Sequence, residues 1–124
     1  MTEDELATII VDACFKIHKE LGPGLLETVY EVILQRELQK RGLTVARQVP
    51  VTIAWDSETF KEAFLADLLV HNLVVVELKS VEKLIPVHGK QLLTYLRLMD
   101  KRLGLLVSFG EELTKTVPIA SSMD

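Results

Sequence analysis

The sequence predicts an α/β fold, an αβα sandwich in which helices cover both faces of a mixed sheet of four to five strands. Three patterns predict it: apolar residues at helical spacing over the first forty positions, a period of two after them, and a strand-helix-strand order in the second half. The chain has 124 residues, of which 48% are hydrophobic, and this is enough for a genuine core. We therefore expect a single domain over residues 1–124.

Two amphipathic helices open the chain. Thr2 and Glu5 have capping-box spacing, and apolar residues then recur every three or four positions until the Gly-Pro-Gly turn at residues 22–24. A second apolar stripe covers residues 26–38, with Glu27 on its flank. We expect these helices to pack as a hairpin-like pair.

Two strands follow, and the loop after them decides which side chains share a face. The period of two begins at residue 44, passes a polar turn at residues 56–58 and returns to residue 70. A two-residue turn at residues 71–72 would pair Asp67 with Val76, whereas a three-residue loop pairs Asp67 with Glu77. We predict the three-residue loop.

In that register Asp67, Glu77 and Lys79 project from one face of the sheet, with Glu77 and Lys79 about 6–7 Å apart along their strand. The opposite face carries six apolar residues: Ala66, Leu68, Val70, Val74, Val76 and Leu78. Both faces are largely apolar, which favours a sheet covered by helices on each side.

The second half predicts a crossover unit. A helix from Pro86 to about Asp100 is followed by a buried strand over residues 103–109. A right-handed connection makes this strand parallel to the one at Val74, so the sheet is mixed. We expect a short edge strand over residues 115–118 and a frayed end from Ala120 to Asp124.

Charge and cysteine content limit the classes of function. The net charge of −4 counts against a broadly basic nucleic-acid surface, so phosphate contacts would be local or metal-mediated. Cys14 is the only cysteine, which excludes an internal disulfide. The sequence shows neither a basic-then-apolar leader nor a run of eighteen apolar residues, so we expect neither export nor membrane spanning. A cytoplasmic protein is the expectation.

Asp67, Glu77 and Lys79 place three ionised groups in a stretch otherwise built for burial. Two carboxylates on neighbouring strands repel each other, and one would be protonated unless a cation intervened. Mg²⁺ or Mn²⁺ prefers oxygen ligands, so Asp67, Glu77, the carbonyl of Leu78 and Glu27 are candidate ligands with positions left for water and a phosphate oxygen. Lys79 could orient that water or stabilise charge on a phosphoryl group.

Each of these residues also has a purely structural interpretation. Glu77 and Lys79 could form an ion pair at a sheet end, and Glu27 could complement a helix dipole. Gln91 and Tyr95 are four apart on the predicted helix and could border the same site, or else Tyr95 packs in the core and Gln91 caps a backbone group. Only the combination favours a functional site.

The chain also resembles a known family. Residues 24–30, Gly-Leu-Leu-Glu-Thr-Val-Tyr, resemble the signature of the GxxExxY protein family, a branch of the PD-(D/E)XK nuclease superfamily. The resemblance runs from about His18 to Gly110 and includes residues 47–50, 66–70, 76–79, 91–96 and 104–110.

The resemblance implies a restriction-endonuclease-like core and the use of magnesium. By this resemblance the catalytic set would be Asp67, Glu77 and Lys79, with Glu27 as the upstream helix acid. Gln91 and Tyr95 would be the RecB-like Gln-x-x-x-Tyr element of nucleic-acid-processing members.

We therefore expect a Mg²⁺- or Mn²⁺-dependent nuclease that hydrolyses phosphodiester bonds in DNA. Asp67 and Glu77 would bind the metal and Lys79 would assist the attacking water. The alternative is a catalytically idle module of the same fold that binds a protein or nucleic-acid partner, which the short length and acidic balance favour. A homodimer would provide a larger binding surface in either case.

Overall fold

The computed structural model describes residues 1–81, 83–110 and 114–121. It contains three helices and five strands: α1 (Glu3–Leu21), α2 (Glu27–Lys40), β1 (Val45–Trp55), β2 (Glu58–Val70), β3 (Val74–Lys79), α3 (Pro86–Met99), β4 (Leu103–Ser108) and β5 (Lys115–Ala120). Over the part of the chain that is described, none of the helices is long and apolar enough to span a bilayer.

Helix α1 begins with the predicted capping box. The main-chain N–H of Glu5 donates to the Thr2 hydroxyl, and the Glu5 carboxylate accepts from the Thr2 N–H, each at 3.1 Å. These bonds satisfy two donors that the helix leaves unpaired. The helix ends at Gly22, whose φ of 74° suits a residue without a Cβ.

The five strands form one mixed sheet in the order β1-β2-β3-β4-β5. Strands β3 and β4 are parallel and are joined through α3, whereas the other neighbours are antiparallel. The predicted crossover is therefore confirmed. Strand β5 is longer than predicted, and Ala120, expected in a frayed end, pairs with Leu103. The Ser121 N–H donates to the Arg102 carbonyl at 2.8 Å, and residues 122–124 lie outside the described residues.

Helices cover both faces of this sheet. The first core lies between the sheet and helices α1 and α2, and it includes Leu6, Tyr30 and Leu34. The second core lies under α3 and includes Leu92 and Leu96. Because full burial of such a side chain contributes about 1.5–3 kcal/mol, these two cores fix the helices on the sheet. The predicted αβα sandwich is confirmed.

The loop between β2 and β3 has the predicted length. Val70 pairs with Val74, so three residues, including His71 and Asn72 with positive φ, form the connection. The register continues to Leu68 opposite Val76. This register brings Asp67 to the level of Glu77.

The predicted alternation along β2 is wrong at one point. Ala66 was expected on the same face as Leu68, but Ala66 packs in the α3 core whereas Leu68 packs in the α1/α2 core. The pairing of β1 with β2 skips Gln48 and Asp67, and Gln48 has a left-handed φ of 51°. This irregularity turns the strand between Ala66 and Leu68.

Candidate active site

Two hydrogen bonds anchor the carboxyl groups of Asp67 and Glu77, each to the main chain of the neighbouring strand, where the main-chain pairing of β2 with β3 ends. The Asp67 N–H donates to Glu77 Oε1 at 2.9 Å, and the Leu78 N–H donates to Asp67 Oδ2 at 2.8 Å. Side-chain oxygens thus take the places of main-chain carbonyls just beyond the Leu68–Val76 pair. The two carboxyl groups are thereby fixed on neighbouring strands, and each keeps one oxygen outside these bonds.

This arrangement disfavours two negative charges. Burial, followed by the charge of Asp67, raises the pKa of Glu77 to about 8. Burial raises the pKa of Asp67 to about 6, with further increases from Glu31 and Glu27 that the hydrogen bond from Leu78 opposes. Without a cation the pair retains a proton at neutral pH, as the sequence led us to expect.

Lys79 lies beside this pair at the end of β3. Val75 packs in the α3 core, so alternation places Glu77 and Lys79 on the same α3 side of the strand, as predicted. The positive charge of Lys79 lowers the pKa of both carboxyl groups. Asp67, predicted on this same face, instead lines a cavity with Glu27 and Glu31 of α2, so the prediction of one shared face is wrong for Asp67. The reason is the turn of β2 between Ala66 and Leu68.

Glu27 connects helix α2 to the end of β3. It is the first residue of α2 and is exposed, and its Oε2 accepts a hydrogen bond from the Ser80 N–H at 3.2 Å. Glu27 therefore contacts the main chain one residue after Lys79, at the rim of the carboxylate pair.

A second set of contacts fixes the chain around Lys79. The Phe109 N–H donates to the Lys79 carbonyl at 3.2 Å, and the Ser108 hydroxyl donates to the Val81 carbonyl at 2.8 Å. Gly110 touches the same segment so closely that a Cβ there would overlap the Val81 carbonyl. The end of β4 thus holds the main chain that carries Lys79.

Of the two predicted α3 residues, the structure brings one to the site. Tyr95 stacks on Phe64 with ring centroids 4.0 Å apart, and burial together with the charges of Glu77 and Asp67 raises the pKa of Tyr95. Gln91 lies one turn earlier and is exposed, and its side chain makes no hydrogen bond to the residues that the structure describes. Tyr95 is thus partly buried against Phe64 at the edge of the α3 core, within the influence of the two carboxyl groups.

Sequence reasoning missed Glu31, a carboxylate that is only 2% exposed. Its Oε2 accepts from Arg47 Nη2 at 2.8 Å and its Oε1 accepts from Gln48 Nε2 at 2.7 Å. Glu31 follows Glu27 by four positions, and this spacing on one helix face was the signal that could have identified it.

A small cavity lies where helix α2 meets strands β1 and β2. It has a volume of about 70 Å³ and is lined by Glu27, Thr28, Glu31, Gln48 and Asp67. A water molecule occupies about 30 Å³ in the liquid, so the cavity is of the size of a few water-sized ligands.

The donor set suits a hard divalent cation. Across residues 1–81, 83–110 and 114–121, no three His, Cys, Asp or Glu side chains are grouped closely enough to enclose a metal ion. Magnesium, however, is commonly held by one or two carboxylates with water and phosphate oxygens completing its shell. Asp67 and Glu77 match this pattern, because a cation would relieve the repulsion that now retains a proton on them.

A family model for the PD-(D/E)XK nuclease superfamily matches residues 4–118 of the chain. The chain belongs to this superfamily. Its five-strand mixed sheet flanked by helices is the restriction-endonuclease-like fold of PD-(D/E)XK proteins. PD-(D/E)XK nucleases generally use divalent metal ions and act on nucleic acids.

A solved structure of the protein SSO0001 has the same fold. It superposes with a TM-score of 0.60 at 21% sequence identity, over 78% of this chain and 51% of that chain. Our chain thus spans about half the length of SSO0001, and the likeness concerns the fold alone. No curated protein matches the sequence.

Proposed function

We propose that this PD-(D/E)XK domain hydrolyses phosphodiester bonds in DNA with the help of Mg²⁺ or Mn²⁺. The observation that carries the proposal is a pair of hydrogen bonds, from the Asp67 N–H to Glu77 and from the Leu78 N–H to Asp67, which fixes two carboxyl groups on neighbouring strands close to Lys79. Residues 24–30 further support a place in the GxxExxY branch of the superfamily.

Asp67 and Glu77 are the proposed metal ligands. One oxygen of each is anchored by a main-chain N–H, so the other oxygen has a defined direction before any ligand arrives. A bound cation would supply Lewis-acid activation of water and neutralise charge on the phosphate. Glu27 lines the cavity of about 70 Å³ that Asp67 also lines, and it is the proposed third carboxylate.

Lys79 is the proposed catalytic cation. Its ammonium group lies on the same side of β3 as Glu77, where it can orient the attacking water and stabilise the negative charge that develops on the phosphoryl oxygens. The contacts from Phe109 and Ser108 to the surrounding main chain keep this lysine in register with Glu77.

Tyr95 and Gln91 are proposed to border the substrate from α3. The charges of both carboxyl groups raise the pKa of Tyr95. The exposed Gln91 lies one turn from Tyr95 on the same helix face. With a net charge of −4, the DNA contacts of the chain would be concentrated at this site. A homodimer would enlarge the surface that DNA contacts.

Cleavage assays with single- and double-stranded DNA in Mg²⁺ or Mn²⁺ test the proposal. We expect Lys79→Ala to lower the rate by about 100-fold or more, because it removes a charge that stabilises the transition state. Lys101→Ala is the matched control, because Lys101 lies beside Asn72 at the other end of β3. This substitution should leave the cleavage rate unchanged. Failure of the folded, metal-loaded protein to cleave any nucleic acid would refute the proposal.

The competing proposal is an idle module that keeps the fold but binds a partner without catalysis. It is favoured by the acidic net charge and by the lack of a group of three metal-binding side chains in the described part of the chain. Calorimetry separates the two proposals. Binding of Mn²⁺ that is lost in Asp67→Asn with Glu77→Gln supports the enzyme, whereas no binding by the wild type supports the module.

A further inference from the structure

We infer that Glu31 is a positioning residue for the metal site: through Gln48 it holds open a break in the β1–β2 ladder, and this break directs Asp67 into the cavity. The inference rests on the proposed role of Asp67 as a metal ligand. It assigns Glu31 an action through Gln48 and no contact with the metal.

The break lies opposite Asp67. Three consecutive pairs on each side of it share one register, which places Gln48 across from Asp67, yet these two residues do not pair. Gln48 has a φ of 51°, a left-handed conformation that side chains with a Cβ adopt at an energetic cost. Something must therefore hold Gln48 in this conformation.

The consequence of the break is visible in the packing. Val45 belongs to the α1/α2 core whereas Val51 belongs to the α3 core, although they are six positions apart on one strand. Leu68 and Ala66 of β2 differ in the same way. Residues an even number apart share a face in a regular strand, so both strands turn over at Gln48 and Asp67.

Glu31 provides the anchor. Its Oε1 accepts from Gln48 Nε2 at 2.7 Å and its Oε2 accepts from Arg47 Nη2 at 2.8 Å, so neither oxygen is left without a donor. Hydrogen bonds to a buried charged group are short and strong. The bond to Gln48 therefore stabilises the left-handed conformation, while Arg47 balances the charge of Glu31.

The same residues line the cavity that Asp67 faces. If Gln48 lost its partner, it would relax to extended geometry and its main chain could pair with Asp67. A continuous ladder would restore regular alternation, turn the Asp67 carboxyl group out of this cavity towards the α3 side and break its hydrogen bond from the Leu78 N–H. Metal affinity would then fall even though both proposed ligands are still in the chain.

Two substitutions at Gln48 isolate this effect. Gln48→Ala and Gln48→Gly both remove the amide that binds Glu31, but only glycine adopts a positive φ freely. We expect Gln48→Ala to weaken Mn²⁺ binding in calorimetry by about 10-fold or more, as is typical when a group that orients a ligand is lost. Gln48→Gly should bind Mn²⁺ like the wild type.

Glu31→Gln extends the test to the anchor itself. The new amide has one acceptor oxygen for the two donors, Arg47 and Gln48, so we expect Mn²⁺ binding to weaken as in Gln48→Ala. The double variant of Glu31→Gln with Gln48→Gly should recover the Mn²⁺ affinity of the wild type. Glu37→Gln is the matched control, because Glu37 is another α2 carboxylate bound by an arginine, with 2.9 Å to Arg41 Nε, and should leave Mn²⁺ binding unchanged. If the wild type binds Mn²⁺, equal affinities of Gln48→Ala and Gln48→Gly would overturn the inference.

Amide hydrogen exchange of the metal-free protein separates this inference from the proposed function. The Leu78 N–H donates to Asp67 Oδ2, so its exchange should become faster in Gln48→Ala and stay unchanged in Gln48→Gly. If this pattern appears but the wild type binds no Mn²⁺, the metal-site proposal fails and the positioning role stands. Unchanged exchange in Gln48→Ala overturns the positioning role whatever the metal result.

Discussion

The protonation of Glu77 is the residue property with the widest consequences. Its pKa is raised from 4.5 to about 8, so the folded protein binds this proton more tightly than the unfolded chain does. The unfolded carboxyl group therefore loses its proton first as the pH rises. It follows that the free energy of unfolding decreases between about pH 4.5 and pH 8 in the absence of metal.

Glu77→Gln should remove this penalty. The amide has the same size and its carbonyl can still accept from the Asp67 N–H, but it carries no charge at any pH. We expect the metal-free variant to be more stable than the wild type at pH 8, with the difference shrinking towards pH 4.5. The wild-type slope should approach about 1.4 kcal/mol per pH unit.

Urea unfolding in the presence of a chelator, at several pH values, measures both quantities. A Glu77→Gln variant that is less stable than the wild type at pH 8 would show that the charge of Glu77 does not lower the free energy of unfolding.

Metal binding should displace the same proton. Because Mn²⁺ competes with the proton shared by Asp67 and Glu77, its affinity should increase from pH 6 to pH 8. At pH 7 we expect the release of about one proton per ion, detected by calorimetry in buffers of different ionisation enthalpy. Binding heats that do not depend on the buffer would contradict this linkage.

At the scale of elements, the end of β4 determines where β3 ends and hence where Lys79 lies. A Cβ at position 110 would overlap the Val81 carbonyl, so Gly110→Ala must push this segment away. We expect a loss of about 1–3 kcal/mol in stability, with a drop in DNA cleavage because Lys79 shifts. Thermal unfolding and the cleavage assay measure the two effects.

Gly89→Ala is the matched control on helix α3. A Cβ at position 89 would have its nearest contact at 3.5 Å, with Ile119, and alanine is the better helix former. This variant should gain stability, by up to about 1 kcal/mol. Equal losses from both substitutions would show that the contact of Gly110 with Val81 is not special.

The elements were predictable where a local pattern decides them. The turn before β3 followed from the apolar runs on either side of it, and the pairing of Val70 with Val74 confirmed the predicted length of three residues. The turn in β2 was not predictable in this way. It depends on Gln48, a residue that does not mark left-handed backbone, and on its bond to Glu31, 17 positions earlier in the chain.

At the scale of the whole molecule, the αβα arrangement was predictable because periodicity, burial on both sheet faces and the handedness of the crossover agree. The candidate site was predictable only as a set of residues. Asp67, Glu77 and Tyr95 do lie together, but the role of Gln48 and its bond to Glu31 became visible only once α2 and β1 were packed side by side.

Cation binding should stabilise the whole fold. A ligand that binds only the folded state contributes about 2.7 kcal/mol at a concentration of 100 times its Kd. Mn²⁺ should therefore raise Tm in a concentration-dependent way that a chelator reverses. The double variant with Asp67→Asn and Glu77→Gln should show no such shift, and an equal shift in this variant would place the ion elsewhere.

The most direct measurement is the anomalous scattering of a crystal soaked in Mn²⁺. We expect one strong peak about 2 Å from a carboxylate oxygen of both Asp67 and Glu77, with Lys79 facing it. A peak bound to other residues, or no peak at a Mn²⁺ concentration that saturates related metal sites, would contradict a metal-dependent active site at this end of β3.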